Sequence, residues 1–362
     1  MKIIVLGTRG IPDILGGVET HCQELYPRIA TQGHDITVIT RTPYVENKKR
    51  LSYKGVKLKH IYAPKKKSLE AIIHTFLGIL YAGYKRPDVL HIHAVGPMIL
   101  TPLARLLGLK VVVTNHGPDY DRQKWGKLAK TMLKTGERLG TKFANKVIVI
   151  SNVINSIIKN RYGREDAFLI YNGVNFPTPS KDDDYLKSLG LEKKQYLIAV
   201  GRFVEEKGFH DLIEAYTETE LPWKLVLVGD ADHETNYSKE LKEKAKRSNV
   251  ILTGFIKGEQ LNEIFTHARL FVMPSYHEGL PIALLEAMSY NLDVLVSNIP
   301  ANLEVDLESP CYFDVGNLND LRSKLNSKNH ANITSIDYSR KLKSDYNWDT
   351  IAGKVVTVYN DV

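Results

Sequence analysis

Two glutamates separated by seven residues, Glu278 and Glu286, flank the start of a helical pattern in the stretch from Ser275 to Met288. The apolar run Leu270-Phe271-Val272-Met273 ahead of them reads as a buried strand, and the residues around Gly279 as a tight loop. Pro281 fits the first helical position, where its missing N–H would be unpaired in any case. Glu286 then lies a little over one turn into the helix, so both carboxylates can border one ligand at the helix N-terminus. Glu286 stands between Ile282-Ala283-Leu284-Leu285 and Ala287-Met288, a setting in which an acid needs a partner. A cationic complement follows another apolar run, in Gly201-Arg202-Phe203-Val204-Glu205-Glu206-Lys207-Gly208. Arg202 offers a fork of donors and Lys207 a point charge, a pair suited to a diphosphate. Taken singly, each segment also reads as a charged surface loop.

Other residues carry weaker chemistry. Gly16 and Gly17 open a helical pattern and can present backbone N–H groups to a phosphate. His116 follows the run 111–114, at the end of a strand where ligands of open sheets bind. His91 and His93 alternate along a strand and share a face, but no third ligand has suitable spacing, so no metal site is expected from them. The acidic run Asp182-Asp183-Asp184 lies in a loop with no strand before it and reads as solvated.

The elements that position these residues alternate strand and helix twice over. Strands are expected at 2–6, 35–40, 54–62, 89–92, 110–114 and 146–150. Helices are expected at 17–32, 68–85, 98–107 and 124–143, and after a cap at Ser151. Residues 172–194, with Pro177, Pro179, Ser180 and the acidic run, read as a linker. The scheme then restarts, with strands at 196–200, 224–228, 249–252, 270–273, 293–296 and 311–313. Two mostly parallel sheets, each covered by helices, place their strand ends across a shared cleft.

At 362 residues and 43% hydrophobic content, the chain can build two domains, each with its own core. Cys22 and Cys311 fall in different halves, so no disulfide framework is available and a reducing compartment is the natural reading. The N-terminus passes from Met1 to Leu6 straight into Gly7-Thr8-Arg9, too short for a signal-peptide core. The stretches 71–84 and 94–113 are interrupted by His74, or by Arg105 and Lys110, and lack the roughly 18 uninterrupted apolar residues of a spanning helix. Residues 1–176 hold 28 Lys and Arg against 12 Asp and Glu, whereas residues 177–362 hold 21 against 29. The basic half, densest at Lys48-Lys49-Arg50, Lys54, Lys57, Lys59 and Lys65-Lys66-Lys67, points to an anionic partner.

Together, Gly201-Arg202-Phe203, Glu206-Lys207-Gly208, Val226-Leu227-Val228-Gly229 and Glu278-Gly279-Leu280-Pro281 with Glu286-Ala287 resemble the donor half of retaining glycosyltransferases of family 4, which have the GT-B fold. The opening, Gly7-Thr8-Arg9-Gly10-Ile11-Pro12 then Gly16-Gly17-Val18-Glu19-Thr20, resembles bacterial rhamnosyltransferase-like members. Tyr346-Asn347-Trp348-Asp349 resembles the approach to the family's C-terminal helix, which crosses back to the first domain. The resemblance implies an α/β GT-B architecture of two Rossmann-like doubly wound domains facing across a cleft. It implies residues 1–176 for the acceptor, 177–345 for a nucleotide sugar and 346–362 for the returning helix. Arg202 and Lys207 would neutralise the departing diphosphate, Glu286 would bind the ribose hydroxyls, and Glu278 would face the sugar with the amides of Gly279 and Leu280. His116 would lie beside the sugar, and Gly16 and Gly17 near phosphate. Leu280-Pro281 stands where many relatives have a second glycine, which makes this loop stiffer.

The expected activity is transfer, with retained configuration, from a UDP- or dTDP-sugar to a glycan or polyprenyl-diphosphate-linked glycan in bacterial surface polysaccharide synthesis. No metal or other cofactor is expected. The expected location is cytoplasmic, with peripheral contact at the anionic inner face of the membrane. A GT-B epimerase or hydrolase acting without an acceptor is the alternative. A nicotinamide dehydrogenase fits poorly, since Gly7-Thr8-Arg9-Gly10 lacks the third fingerprint glycine and Thr40-Arg41 supplies no ribose-binding acid. A nucleic-acid partner is not expected, because the basic half shows no recognition motif or stacking pattern.

Overall fold

The computed structural model describes residues 1–14, 16–64, 67–118, 120, 126–231, 233–330 and 336–362. Lys65 and Lys66 of the basic run, and residues 124–125 of an expected helix start, lie outside them. The chain divides into two compact units, Met1–Gly173 with Tyr346–Val362, and Val174–Asp345. The sequence-based boundary after Phe176 therefore falls just inside the second unit.

The first unit is built on strands β1 (Lys2–Leu6), β2 (Asp35–Arg41), β3 (Ser52–Tyr53), β4 (Val56–Ile61), β5 (Val89–His93), β6 (Val111–Asn115), β7 (Lys146–Val149) and β8 (Phe168–Leu169). They form one sheet in the order β3-β4-β2-β1-β5-β6-β7-β8, parallel except for the β3–β4 hairpin. Apolar runs such as Ile3 to Leu6 and Val111 to Val113 are buried on both faces, as central parallel strands require. Order reverses between β1 and β5, the switch point at which ligands of such sheets bind. The last helix, Trp348–Asn360, starts where Asn347 Oδ1 accepts the amides of Asp349 and Thr350 at 2.8 and 3.1 Å. It buries Trp348, Ile351, Val355, Val358 and Tyr359 in the core that also holds Ile3, Leu25 and Tyr26. Each such apolar side chain contributes roughly 1.5–3 kcal/mol, which fastens the chain end to this sheet.

The second unit carries β9 (Tyr196–Val200), β10 (Lys224–Val228), β11 (Ile251–Leu252), β12 (Leu270–Met273), β13 (Asp293–Ser297) and β14 (Tyr312–Phe313). Their order is β11-β10-β9-β12-β13-β14, with every pairing parallel. Its switch point lies between β9 and β12, so the loops after these strands, 201–208 and 274–281, emerge side by side.

Several expectations need correction. Pro281 precedes the helix Ile282–Ser289 as its N-cap, with φ −80° and ψ 72°, rather than opening it as the first helical residue. The expected helix 98–107 is a 3₁₀ turn, Pro97–Leu100, followed by the short helix Thr101–Leu106, because Pro102 cannot donate to the preceding turn. The expected linker contains the helix Asp184–Ser188, and Asp183 pairs with Lys187 and Lys193 at 2.7 and 3.3 Å. The acidic run is thus partly engaged by local lysines.

Candidate active site

In the second unit, the Arg202–Gly208 loop follows β9 and ends in a 3₁₀ turn, Glu205–Lys207. Gly208 adopts φ +65° and passes so close to β12 that a Cβ would meet the Pro274 carbonyl oxygen at 2.1 Å. Only glycine satisfies both conditions. The Tyr276 amide donates to the Glu206 carbonyl at 2.8 Å, tying the two loops together. Lys207 Nζ consequently donates to Glu278 Oε1 at 2.6 Å, and Ser275 Oγ donates to the same oxygen at 2.7 Å. Arg202 is half-buried at the start of the loop.

Glu286 is the fifth residue of the helix Ile282–Ser289. Its carboxylate has no hydrogen-bond or ion-pair partner among the described residues, and burial pushes its pKa up to about 7. The amides of Gly279 and Leu280 likewise have no acceptor among the described residues. The unit therefore presents a donor-rich loop, a cation held by a carboxylate and a desolvated acid awaiting hydroxyl donors.

The first unit holds the other candidates. Gly16, with φ +146°, caps the helix Gly17–Thr31, and a Cβ there would meet Glu19 Oε2 at 2.0 Å. Glu19 accepts the Arg9 amide at 2.8 Å, so a buried carboxylate of the chain already sits at this helix start. Gly17 faces open space. His116 follows β6, on a loop fixed where the Gly117 amide donates to Asn115 Oδ1 at 2.9 Å. Asn115 Nδ2 in turn donates to the fully buried Glu137 at 2.9 Å, which also accepts the hydroxyls of Tyr120 and Tyr162, each at 2.8 Å.

His116 is one of a group that sequence spacing left apart. His93 Nδ1 lies 2.9 Å from His116 Nε2, and one ligand-type atom each of His21, His93 and His116 falls within 4.8 Å of the others. His91 turns away from this group, with Nε2 at 2.7 Å from Thr114 Oγ1 and Nδ1 at 2.6 Å from the Tyr359 hydroxyl. Burial, reinforced by neighbouring imidazoles, pushes His93 and His116 well below the ordinary histidine range, and burial lowers His21 to about 4. All three are neutral at physiological pH. His21, Tyr26 and Glu137 are the residues that sequence reasoning missed. The only prior signal was an apolar helix stripe, 18-22-25-29, into which His21 and Tyr26 are inserted.

Residues 181–308 match the model for Glycosyl transferases group 1, and residues 15–176 match that for Glycosyltransferase Family 4. A sucrose-phosphate synthase from Thermosynechococcus elongatus superposes with a TM-score of 0.83 at 18% identity, covering 99% of this chain and 98% of that one. Anabaena HepE, in complex with UDP-glucose, superposes with a TM-score of 0.82 at 19% identity over 100% of both chains. The chain has the GT-B fold of group 1, family 4-like glycosyltransferases. An uncharacterized glycosyltransferase of Methanocaldococcus jannaschii is 26% identical, covering 84% of this chain and 82% of that protein. The UDP-Gal:alpha-D-GlcNAc-diphosphoundecaprenol alpha-1,3-galactosyltransferase of Escherichia coli is 28% identical, covering 80% of this chain and 78% of that protein. In this GT-B frame, the loops bearing Arg202, Lys207, Glu278 and Glu286 belong to the half matched by the group 1 model.

Proposed function

We propose that this glycosyltransferase moves a sugar, with retention of configuration, from a nucleoside-diphosphate sugar to a glycan or polyprenyl-diphosphate-linked glycan of a bacterial surface polysaccharide. The observation that carries the donor reading is Glu286, a carboxyl driven up to about 7 by burial and lacking any partner among the described residues. Ribose hydroxyls would supply the donors it needs. Arg202 and Lys207 then balance the charge that develops on the departing diphosphate, aided by the amides of Gly279 and Leu280. Glu278, steadied by Lys207 and Ser275, faces the transferred sugar. The leaving phosphate accepts the proton of the attacking hydroxyl on the face from which it departs. No protein nucleophile and no metal on the diphosphate enter this scheme.

The Escherichia coli relative named for a diphosphoundecaprenol acceptor supports a lipid-linked acceptor. No helix among the described residues is long and apolar enough to cross a membrane. The helix Lys67–Lys85 exposes Phe76, Leu80 and Tyr84 at spacing four, beside Lys59 and Lys85, which supports peripheral binding at an anionic inner-membrane surface. Relatives named as glycosyltransferases, among them those of Methanocaldococcus jannaschii and Escherichia coli, do not favour an acceptor-free epimerase or hydrolase. The test is a binding panel of UDP-, dTDP- and GDP-sugars with and without magnesium. Saturable binding of a UDP- or dTDP-sugar that is indifferent to magnesium is expected; a strict magnesium requirement would overturn the scheme.

A further inference from the structure

A chain of buried hydrogen bonds in the first unit has a fixed direction, and it ends at His116. Tyr26, His91, His93 and Tyr359 are at most 2% exposed, so their polar atoms are satisfied by one another's protons. The Tyr359 hydroxyl lies 2.6 Å from His91 Nδ1, and His91 Nε2 lies 2.7 Å from Thr114 Oγ1. With Tyr359 donating, the single lone pair of His91 Nδ1 is filled and its Nε2–H donates to Thr114. The Tyr26 hydroxyl lies 2.9 Å from His91 Nδ1 and closer to His93 Nε2. Its proton therefore goes to His93 Nε2. A neutral imidazole that accepts at Nε2 carries its proton at Nδ1. His93 Nδ1–H then donates to His116 Nε2, 2.9 Å away. By the same rule His116, also neutral, carries its proton at Nδ1. His21 stands outside this chain, with its Nδ1 held 2.7 Å from Asn172 Oδ1.

We propose that Tyr26 is a positioning residue which, through His93, holds His116 as its Nδ1–H tautomer, so that His116 meets a sugar substrate only as a hydrogen-bond donor. The inference rests on the glycosyltransferase reading and on the expected place of His116 beside a sugar. His116 is half-buried and stands just after β6, at the strand end where ligands of such sheets bind. Its Nδ1 has no hydrogen-bond partner among the described residues, which leaves that proton for a substrate oxygen. Its Nε2 is closed to substrate, because the His93 proton fills the lone pair. Without a free lone pair, His116 cannot take the proton of an attacking hydroxyl. That role stays with the leaving phosphate. The partner of one ring nitrogen decides which nitrogen carries the proton, and here the decision is made by a hydroxyl on the helix Gly17–Thr31. Tyr359, from the last helix, has a supporting part: by filling His91 Nδ1 it reserves the Tyr26 proton for His93.

The full chain, labelled with heavy nitrogen in its histidine rings, is studied without ligand by long-range proton–nitrogen NMR correlation, which separates the two neutral tautomers. His116→Ala assigns the signal. The Nδ1–H tautomer is expected for His116 in the wild type. Tyr26→Phe deletes one oxygen and should bring in the Nε2–H tautomer; circular dichroism and thermal melting establish that this variant is folded. Should it fail to fold, Tyr359→Phe takes its place, since it frees His91 Nδ1 to compete for the Tyr26 proton and should bring in a smaller share of the same tautomer. With whichever UDP-, dTDP- or GDP-sugar is turned over, kcat/KM should fall about 2–10-fold in Tyr26→Phe. In a His116→Ala background Tyr26→Phe should cost nothing further, whereas a merely structural tyrosine would give additive losses. An Nε2–H His116 in the wild type, a tautomer unchanged in the folded variant, or additive losses would overturn the proposal. The expected tautomers without turnover of any donor would count against the glycosyltransferase reading and not against the Tyr26 relay.

Discussion

Lys207 Nζ and Glu278 Oε1 are 2.6 Å apart, although 70 residues separate them in sequence, and both side chains are largely shielded from water. The ion pair joins the loops after β9 and β12, the two strands at the second sheet's switch point. Its proposed job is to aim an ammonium at the diphosphate while holding an acid toward the sugar. Lys207→Ala removes a charge needed chiefly in the transition state, so transfer should fall by about 100-fold or more. Glu278 would retain its Ser275 hydrogen bond, and stability should drop by only about 1–3 kcal/mol. Steady-state kinetics beside thermal melting separates the two effects; wild-type turnover in this folded variant would remove Lys207 from the mechanism.

Glu286 makes binding and stability depend on pH in opposite directions. Its folded pKa of about 7 lies above the ordinary glutamate value of 4.5, so its neutral form is favoured in the folded chain. The stability this proton contributes is present in full below the unfolded value and is lost as pH rises through about 7. Ribose hydroxyls donate to the ionised carboxylate, so donor affinity should instead rise by about tenfold between about pH 6 and 8, with proton release. Calorimetry in buffers of different ionisation enthalpy measures both quantities. Glu286→Gln should bind weakly at every pH. A wild-type affinity that is flat across this range would be incompatible with a ribose-binding Glu286.

Gly208 is the backbone condition for the Lys207–Glu278 pair. At φ +65°, with the Pro274 carbonyl in the space of a Cβ, Gly208→Ala meets both strain and a rigid clash. A loss of about 2 kcal/mol or more is expected from these two sources. The loop should also withdraw from β12, so transfer should fall by more than Lys207→Arg causes. Denaturant unfolding and kinetics of the two variants test this; an unperturbed Gly208→Ala protein would show that the close approach is not required.

The buried strands and the donor loops were legible because each rests on a short local pattern. Apolar runs mark β1, β6, β9 and β12, and the chemistry-bearing residues follow them within a few positions. The two-residue strands β3 and β8 carry too little periodicity to be read, and the helix Asp184–Ser188 hides among loop-forming residues. Pro281 shows the limit at single-residue scale, since both N-cap and first-turn positions accept proline. The imidazole group was beyond reach for a different reason. His21, His93 and His116 converge only through the order β1-β5-β6, and local spacing says nothing of which strands become neighbours.

The helix Lys67–Lys85 tests the membrane reading. Phe76, Leu80 and Tyr84 are 43%, 45% and 81% exposed, and their spacing of four places them along one face. Lys85 Nζ lies 5.2 Å from the Tyr84 ring centre and Lys59 Nζ lies 5.5 Å from that of Tyr81, so cations border the apolar stripe. Apolar insertion and attraction to anionic headgroups should therefore act together, each basic residue near the surface adding about 1 kcal/mol. In vesicle flotation the protein should rise with anionic liposomes and remain behind with neutral ones, and added salt should weaken the association. Replacing Phe76, Leu80 and Tyr84 with Ser should abolish flotation without altering binding of the nucleotide sugar. Equal recovery on anionic and neutral vesicles, or full flotation of the triple variant, would rule out this face as the membrane contact.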